Sequence, residues 1–311
     1  MSLAAQPLPL SRAVVANRVR DYAELTKARV TTLVVLTAWC GYYFGARKSG
    51  IPVLSLTLLN ALFGVGLSGG GAAALNEAME FKIDATMRRT QRRPIPAKRM
   101  TLLHGAVAGT LLTLGGALYL GLVLNPLTGW LSLLTSFLYL ALYTPLKRVH
   151  PVCTFIGAVP GAMPAVLGWT GARGRLDWEA VALFAIVFVW QFPHFFAIAW
   201  LYRDDYAAGG IRMLPVVEPD GRSTARRILA YSVLLVPVSL APAYLGMAGH
   251  VYLTGALFLS LALLYVSTRL TSLHEPVSTP TSRQRARQLL RASVIYLPLL
   301  FVLMMLNPFS L

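Results

Sequence analysis

The sequence predicts an all-α, polytopic integral membrane protein with about nine transmembrane helices around a central cavity. Three observations carry that prediction. Of the 311 residues, 56% are hydrophobic and 13% charged, and mean hydropathy is +0.61; a soluble domain carries about 25% charged residues. The apolar residues gather into stretches of about the ~20-residue length that crosses a bilayer core. If those stretches alternate from a cytoplasmic N-terminus, 24 of the 28 Lys and Arg residues fall on the cytoplasmic side, as the positive-inside rule requires.

Residues 1–29 carry Arg12, Arg18, Arg20, Asp21, Glu24, Lys27 and Arg29. No apolar core followed by a small-residue cleavage site precedes them. They are expected to form a cytoplasmic tail and an amphipathic approach to the membrane. Residues 30–311 are then expected to form a single transmembrane domain. Spans are expected at 30–46, 53–75, 101–122, 127–146, 152–170, 178–201, 226–246, 249–271 and 290–309. The first is the weakest, so eight is the nearest alternative count. Without a barrel pattern, each must be a helix, because only a helix satisfies its own backbone in lipid.

The non-cytoplasmic side holds only Arg47, Lys48, Arg173 and Arg175. The net charge of +16 therefore reflects orientation. It argues against a nucleic-acid partner, since the basic residues lie between apolar spans rather than in a soluble domain. Cys40 and Cys153 both sit in apolar stretches and have neither metal-ligand nor disulfide spacing. His104 and His150 read as interfacial, and His250 and His274 carry no motif.

The first polar constellation follows the second span. Asn76, Glu80 and Asp84 are spaced i, i+4, i+8, which stacks them on one helix face. Two carboxylates and an amide oxygen cannot neutralise one another. Oxygen-only donors suit a hard cation such as Mg²⁺, which shares its shell with water and substrate phosphates. Arg88, Arg89, Arg92 and Arg93 follow at once, and guanidinium groups match phosphate oxygens. Stripe and arginines together point to a Mg²⁺–diphosphate site. The plainer alternative is mutual pairing in a membrane-anchoring loop. Gly69, Gly70 and Gly71 precede the stripe and allow close helix approach.

Two more groups stand at cytoplasmic span ends. Tyr143 and Lys147 are again i, i+4 and either donate to diphosphate oxygens or serve as interfacial anchors. The run Trp190-Gln191-Phe192-Pro193-His194-Phe195 leads into Tyr202-Arg203-Asp204-Asp205-Tyr206. From the residues alone, His194 is open between core packing, substrate contact and proton carriage.

The pattern Asn76-x3-Glu80-x3-Asp84-x2-Met87-x-Arg89-Thr90-x2-Arg93-Pro94 resembles the first acidic motif of the UbiA-type intramembrane prenyltransferases. Within them it is similar to the branch that farnesylates protohaem IX. Glu80 stands where that motif usually has Asp. Tyr143-x3-Lys147, the Gly/Pro-rich segment Ile156–Pro164 and the Trp190-to-Phe195 run also resemble that branch, the last most distinctively. The likeness covers roughly 20–300; the stretches 1–19 and 272–289 match nothing in it.

The resemblance implies a transferase that joins the farnesyl group of farnesyl diphosphate to the 2-vinyl group of haem B. Water addition then gives haem O for terminal oxidases. It implies metal ligands at Asn76, Glu80, Asp84, Asp204 and Asp205. Diphosphate contacts fall on Arg89, Arg93, Lys147, Tyr143 and Arg203, catalytic roles on Asp84, Lys147, Tyr143 and His194, and haem contacts on Trp190 and His194. Tyr202 and Tyr206 stand where relatives acting on aromatic acids carry a wider acidic pair, so the second metal site is expected to be leaner. The setting implied is the bacterial inner membrane, with haem A synthase or terminal-oxidase assembly proteins as partners and the active-site loops cytoplasmic.

Another acceptor on the same fold, such as an aromatic acid or chlorin, is the first alternative. A membrane transporter is the second. Transporters place ionisable residues near the bilayer midplane, whereas here the acids gather at one face beside arginines.

Overall fold

The structure, a computed structural model, describes residues 12–272 and 277–308, with side chains described from residue 17. The first eleven residues of the expected tail, His274 and the rest of 273–276 lie outside that range. The elements in order are α1 (Arg12–Leu25), α2 (Ala28–Ser49), α3 (Leu56–Asp84), α4 (Leu102–Val123), α5 (Pro126–Phe137), a π-helical turn (Leu138–Tyr143), α6 (Thr144–Leu146), α7 (Cys153–Arg173), α8 (Trp178–Leu201), α9 (Arg203–Ala208), α10 (Leu214–Val217), α11 (Arg222–Tyr244), α12 (His250–Thr271) and α13 (Pro280–Leu306). Each of the nine expected stretches coincides with a helix among the described residues.

Eight of the described helices, counting α5 to α6 as one, are long and apolar enough to cross a bilayer. The ninth, α2, falls short because Arg29, Thr31, Thr32, Thr37, Arg47 and Lys48 dilute it. Two helices outrun their apolar cores at the loop-rich end. α3 continues from the expected limit at 75 to Asp84, and α13 begins at Pro280 rather than 290. At that start, Thr279 caps α13 by accepting from Ser282 N at 3.2 Å, and Pro280 sits in the first turn. The extension of α3 is what carries the polar stripe on a rigid helix.

Close helix crossings rest on small residues, as expected where lipid removes the hydrophobic drive. A Cβ at Gly41 of α2 would lie 1.9 Å from the Ala165 carbonyl oxygen of α7, and one at Gly168 would lie 1.8 Å from that of Ala38. Within the glycine triplet, Gly71 makes such a contact, 2.4 Å from Thr113 N on α4. The Gly/Pro-rich segment Ile156–Pro164 does not break its helix. α7 is continuous through Pro160 and Pro164 because it is the most buried of the spans, so neighbours on several sides hold it.

α8 is the axis of the largest core cluster, with Ile186, Phe192, Phe196 and Trp200 packed among residues of α7, α11, α12 and α13. Phe192 stacks on Tyr231 of α11, with ring centroids 3.8 Å apart. Ser239, Ser260 and Tyr296 link α11, α12 and α13 through hydroxyl hydrogen bonds. Helix alternation brings Lys27, the 85–101 and 147–152 loops, the 202–221 segment and the start of α13 to one end of the bundle.

Candidate active site

A cavity of about 410 Å³ opens at that end and runs inward between α2, α3, α5, α7 and α8. Its size is typical of a small-molecule site. The mouth is charged: Lys27, Asn76, Glu80, Asp84, Arg89, Arg93 and Lys147 line it. The interior is mainly apolar, with Val34, Val65, Pro164, Leu167 and Phe195 on its walls.

The expected stripe is present. Asn76, Glu80 and Asp84 are 1%, 7% and 1% exposed, and each oxygen donor faces a cation. Lys27 Nζ donates to Asn76 Oδ1 at 2.7 Å. Lys147 Nζ donates to both Glu80 carboxylate oxygens at 2.9 Å. Arg93 donates to Asp84 Oδ2 at 2.6 Å. Asn76 Nδ2 donates to Glu80 Oε2 at 2.9 Å and to Thr144 Oγ1 at 3.1 Å, which fixes the amide so that its oxygen faces Lys27.

Tyr143 and Lys147 meet the stripe because of the π-helical turn before them. Pro145 cannot donate a backbone hydrogen bond. The wider turn Leu138–Tyr143 accommodates it, and Thr144 N and Oγ1 both bond the Tyr139 carbonyl, Oγ1 at 2.9 Å. Such turns recur at functional sites. Tyr139 and Tyr143 are left stacked, centroids 5.5 Å apart, and Lys147 Nζ lies 4.6 Å from the Tyr143 ring centroid. Gly157 of α7 leaves room for this wall, since a Cβ there would stand 2.6 Å from the Tyr143 ring.

Arg89 reaches the cavity beneath the facing loop, its guanidinium 5.5 and 5.7 Å from the Tyr202 and Tyr206 ring centroids. The loop after α3 and the loop after α8 pack together through Met87, Tyr206, Ile211 and Met213. Arg212 N, also in the loop after α8, donates to the Lys147 carbonyl at the end of α6 at 2.8 Å. The loops that follow α3 and α8 thus meet across the mouth.

Other expected residues are not brought to the cavity. Asp204 points outward, its side chain 79% exposed, with only loose contacts to Arg203 at 3.8 Å and Arg283 at 3.9 Å. Asp205 is half-buried and outside the lining. Arg203 Nε donates to the Pro215 carbonyl at 3.1 Å, a bond within its own loop. The cause is α9, which projects Tyr206 inward and so turns Asp204 away. Trp190 and His194 also leave the cavity. They stack on each other with centroids 4.7 Å apart, and both bond Ser293 of α13: Trp190 Nε1 to its carbonyl at 2.8 Å, His194 Nδ1 with its hydroxyl at 2.9 Å. Their neighbours Gln191 and Phe195 line the cavity instead.

Lys27 is the residue that sequence reasoning missed. It holds a left-handed backbone, φ 48° and ψ 50°, between α1 and α2, which aims its side chain at Asn76. Burial, reinforced by Arg93 and Lys147, pushes its ammonium down to about 7 against the pull of Glu80 and Asp84. It thus sits among cations at a point where an arriving anion would relieve repulsion. Its signal was faint: one lysine among several basic residues. Glu77 was missed too. It is fully buried, and its Oε1 accepts from Ile95 N at 3.0 Å, buckling the arginine loop to α3.

An intramembrane helical bundle with cationic and carboxylate groups paired around the mouth of an apolar cavity defines the class. Residues 33–293 match the UbiA prenyltransferase family, and the chain belongs to that family. It is similar to the protoheme IX farnesyltransferase of Koribacter versatilis, 59% identical over 99% of both chains. That of Solibacter usitatus is 46% identical over 93% of this chain and 98% of the other. The fold matches a digeranylgeranylglyceryl phosphate synthase at TM-score 0.76 and 16% identity, covering 94% and 98% of the two chains. It also matches an Archaeoglobus fulgidus UbiA homologue bound to GPP and Mg²⁺ at TM-score 0.64 and 13% identity, covering 91% and 99%.

Proposed function

We propose that the protein transfers the farnesyl group of farnesyl diphosphate to the 2-vinyl group of haem B, with water addition, to give haem O. One observation carries the reading: the cavity runs from a cationic mouth, suited to a diphosphate, into an apolar interior suited to a prenyl chain. The full-length similarity to proteins named protoheme IX farnesyltransferase supports haem B as the acceptor over an aromatic acid or a chlorin.

The donor set fits Mg²⁺. Asn76 Oδ1 and the Glu80 and Asp84 carboxylates are hard oxygen donors on one buried stripe. Among the described residues no cluster of three or more His, Cys, Asp or Glu side chains stands assembled, consistent with an ion that arrives with the diphosphate and shares its oxygens. Mg²⁺ would supply electrostatic stabilisation of the leaving diphosphate.

The chain's own residues account for the rest. Lys27, Arg93 and Lys147 now neutralise the stripe and would turn to the diphosphate, with Arg89 from the loop after α3. They stabilise the charge that develops as the C1–O bond breaks and its electron pair leaves with the diphosphate. The apolar walls keep water from the allylic cation, which would otherwise be lost as farnesol. The vinyl π pair then bonds to farnesyl C1. The setting proposed is the bacterial inner membrane, with the N-terminus and the site cytoplasmic.

The test is turnover in membranes carrying this protein, supplied with haem B, farnesyl diphosphate and Mg²⁺, with an EDTA control. A Mg²⁺-dependent haem adduct of farnesyl plus water, read by mass spectrometry, is expected. Consumption of farnesyl diphosphate without a haem adduct would move the acceptor to another aromatic molecule.

A further inference from the structure

Two side-chain amides line the cavity, and they differ in one respect. Asn76 is saturated, its oxygen and nitrogen both bonded within the chain. Gln191, 3% exposed, is not. Its Nε2 donates to the Ala158 carbonyl at 3.0 Å and the Val187 carbonyl at 3.2 Å. Those two acceptors fix the amide, since a flipped amide would set oxygen against two carbonyls. Oε1 accepts from no donor among the described residues. Gln191 lines the cavity, so a donor held there can reach this oxygen.

Gly161 keeps the space beside that oxygen clear, because a Cβ there would lie 2.0 Å from Oε1. Gly161 is one turn inward on α7 from Gly157, against which the Tyr143 ring packs. At 1.5 Å of rise per residue, Gln191 Oε1 stands about 6 Å deeper than the diphosphate-facing wall. The farnesyl carbon esterified to the diphosphate, and the vinyl group that attacks it, would lie near that depth.

We infer that Gln191 is a positioning residue whose amide oxygen holds the water that ends the reaction. The inference rests on the proposed haem farnesylation and names a residue for its second half. Once the vinyl π pair has bonded to farnesyl C1, the positive charge sits on the vinyl carbon next to the porphyrin ring. The water donates one hydrogen bond to Gln191 Oε1, which turns an oxygen lone pair toward that carbon. The C–O bond forms, and the proton leaves to the departed diphosphate. Without a held water, the cation instead loses a proton from the adjacent CH₂, the former vinyl terminus. That gives an alkene adduct lighter by one water. Gln191 therefore sets which product forms, whatever the total rate.

The experiment compares wild type, Gln191→Met and Gly161→Ala in membranes given haem B, farnesyl diphosphate and Mg²⁺. The readout is the ratio of hydrated to alkene adduct by liquid chromatography and mass spectrometry. Met removes the acceptor, and Ala crowds it while leaving the glutamine intact. Either variant, if the other fails to insert, reads the same ratio. A fall of at least about 10-fold in the ratio for Gln191→Met, with a smaller fall for Gly161→Ala, is expected. An unchanged ratio, or loss of both adducts from inserted protein, overturns the inference while wild-type haem O keeps the proposed function. No haem adduct from wild type overturns both.

Discussion

The two ends of the bundle use the same side chains for opposite purposes. At the far end, Lys48 pairs with Glu179, and Arg173 and Arg175 both pair with Asp177, at 3.0 and 3.2 Å. Trp169 Nε1 and the Asp177 carboxylate meet at 3.2 Å. Those pairs border solvent and tie α2, α7 and α8 together. At the near end, Lys27, Arg93 and Lys147 face Asn76, Asp84 and Glu80 around the mouth of a cavity. Two carboxylates and one amide there meet three cations, with Arg89 beside them, so the site carries an excess of positive charge. An ion pair is a brace where nothing can enter between its partners. It is a stored binding site where a cavity lets a ligand exchange for one partner.

That contrast breaks first at Asp84. Asp84→Asn is expected to lower turnover by a factor of 10² or more, since it removes charge from the stripe at a buried position, while membrane insertion is unaffected. Near-normal turnover, with equal protein in the membrane by immunoblot, would remove Asp84 from the site. Lys147→Met comes next. It deletes a diphosphate contact and strands the buried Glu80, and breaking such a pair costs about 3–5 kcal/mol. Turnover is expected to fall about 10²-fold, with a lower melting temperature in detergent. Loss of stability with full activity would make this pair another brace.

Lys27→Met tests the residue that completes the cationic mouth. Its expected effect is on binding: KM for farnesyl diphosphate should rise about 10-fold with kcat nearly kept, because the lysine meets the anion rather than the reacting carbons. A fall in kcat at unchanged KM would place it elsewhere. Glu80→Asp is expected to cost less, a few-fold in turnover, since the carboxylate remains and the Lys147 chain is flexible. Abolished turnover would mean that the 2.9 Å double contact from Lys147 demands the longer side chain.

What could be read in advance divides along physical lines. Spans and the stripe are periodic or compositional signals, and among the described residues they appear as eight helices apolar enough to cross a bilayer beside the less apolar α2, with Asn76, Glu80 and Asp84 on one buried face. Tyr143 and Lys147 were visible as an i, i+4 pair. Their approach to the stripe depends on a π-helical turn that spacing does not encode, although Pro145 hints at it. Lys27 depends on a left-handed residue and on α1 folding back onto α3 through Leu25, Ala74 and Ala78, which no local pattern announces. The Trp190–Phe195 run was recognised as a unit, but helix rotation divides it. At 100° per residue, Gln191 and Phe195 face the cavity while Trp190 and His194 face α13. The second acidic pair misled for a related reason. A short helix after α8 turns Tyr206 inward, and adjacent aspartates cannot both share its face.

The far end supplies the smallest and sharpest test. Burial alone would raise the Asp177 carboxyl, but Arg173, Arg175 and Trp169 together hold it below the ordinary aspartate value. A carboxyl lowered in the folded protein contributes stability that is present above its unfolded value, about 3.9. That contribution is lost as pH falls through the folded value. Wild type should therefore lose melting temperature in detergent between about pH 5 and pH 3, and Asp177→Asn should show a shallower loss from a lower starting point. The effect at pH 7 should be about 1 kcal/mol, because pairs open to water are screened. Turnover at pH 7 should be unchanged. If Asp177→Asn instead slowed turnover at unchanged melting temperature, the far end would be coupled to the cavity, and its pairs would not be braces alone.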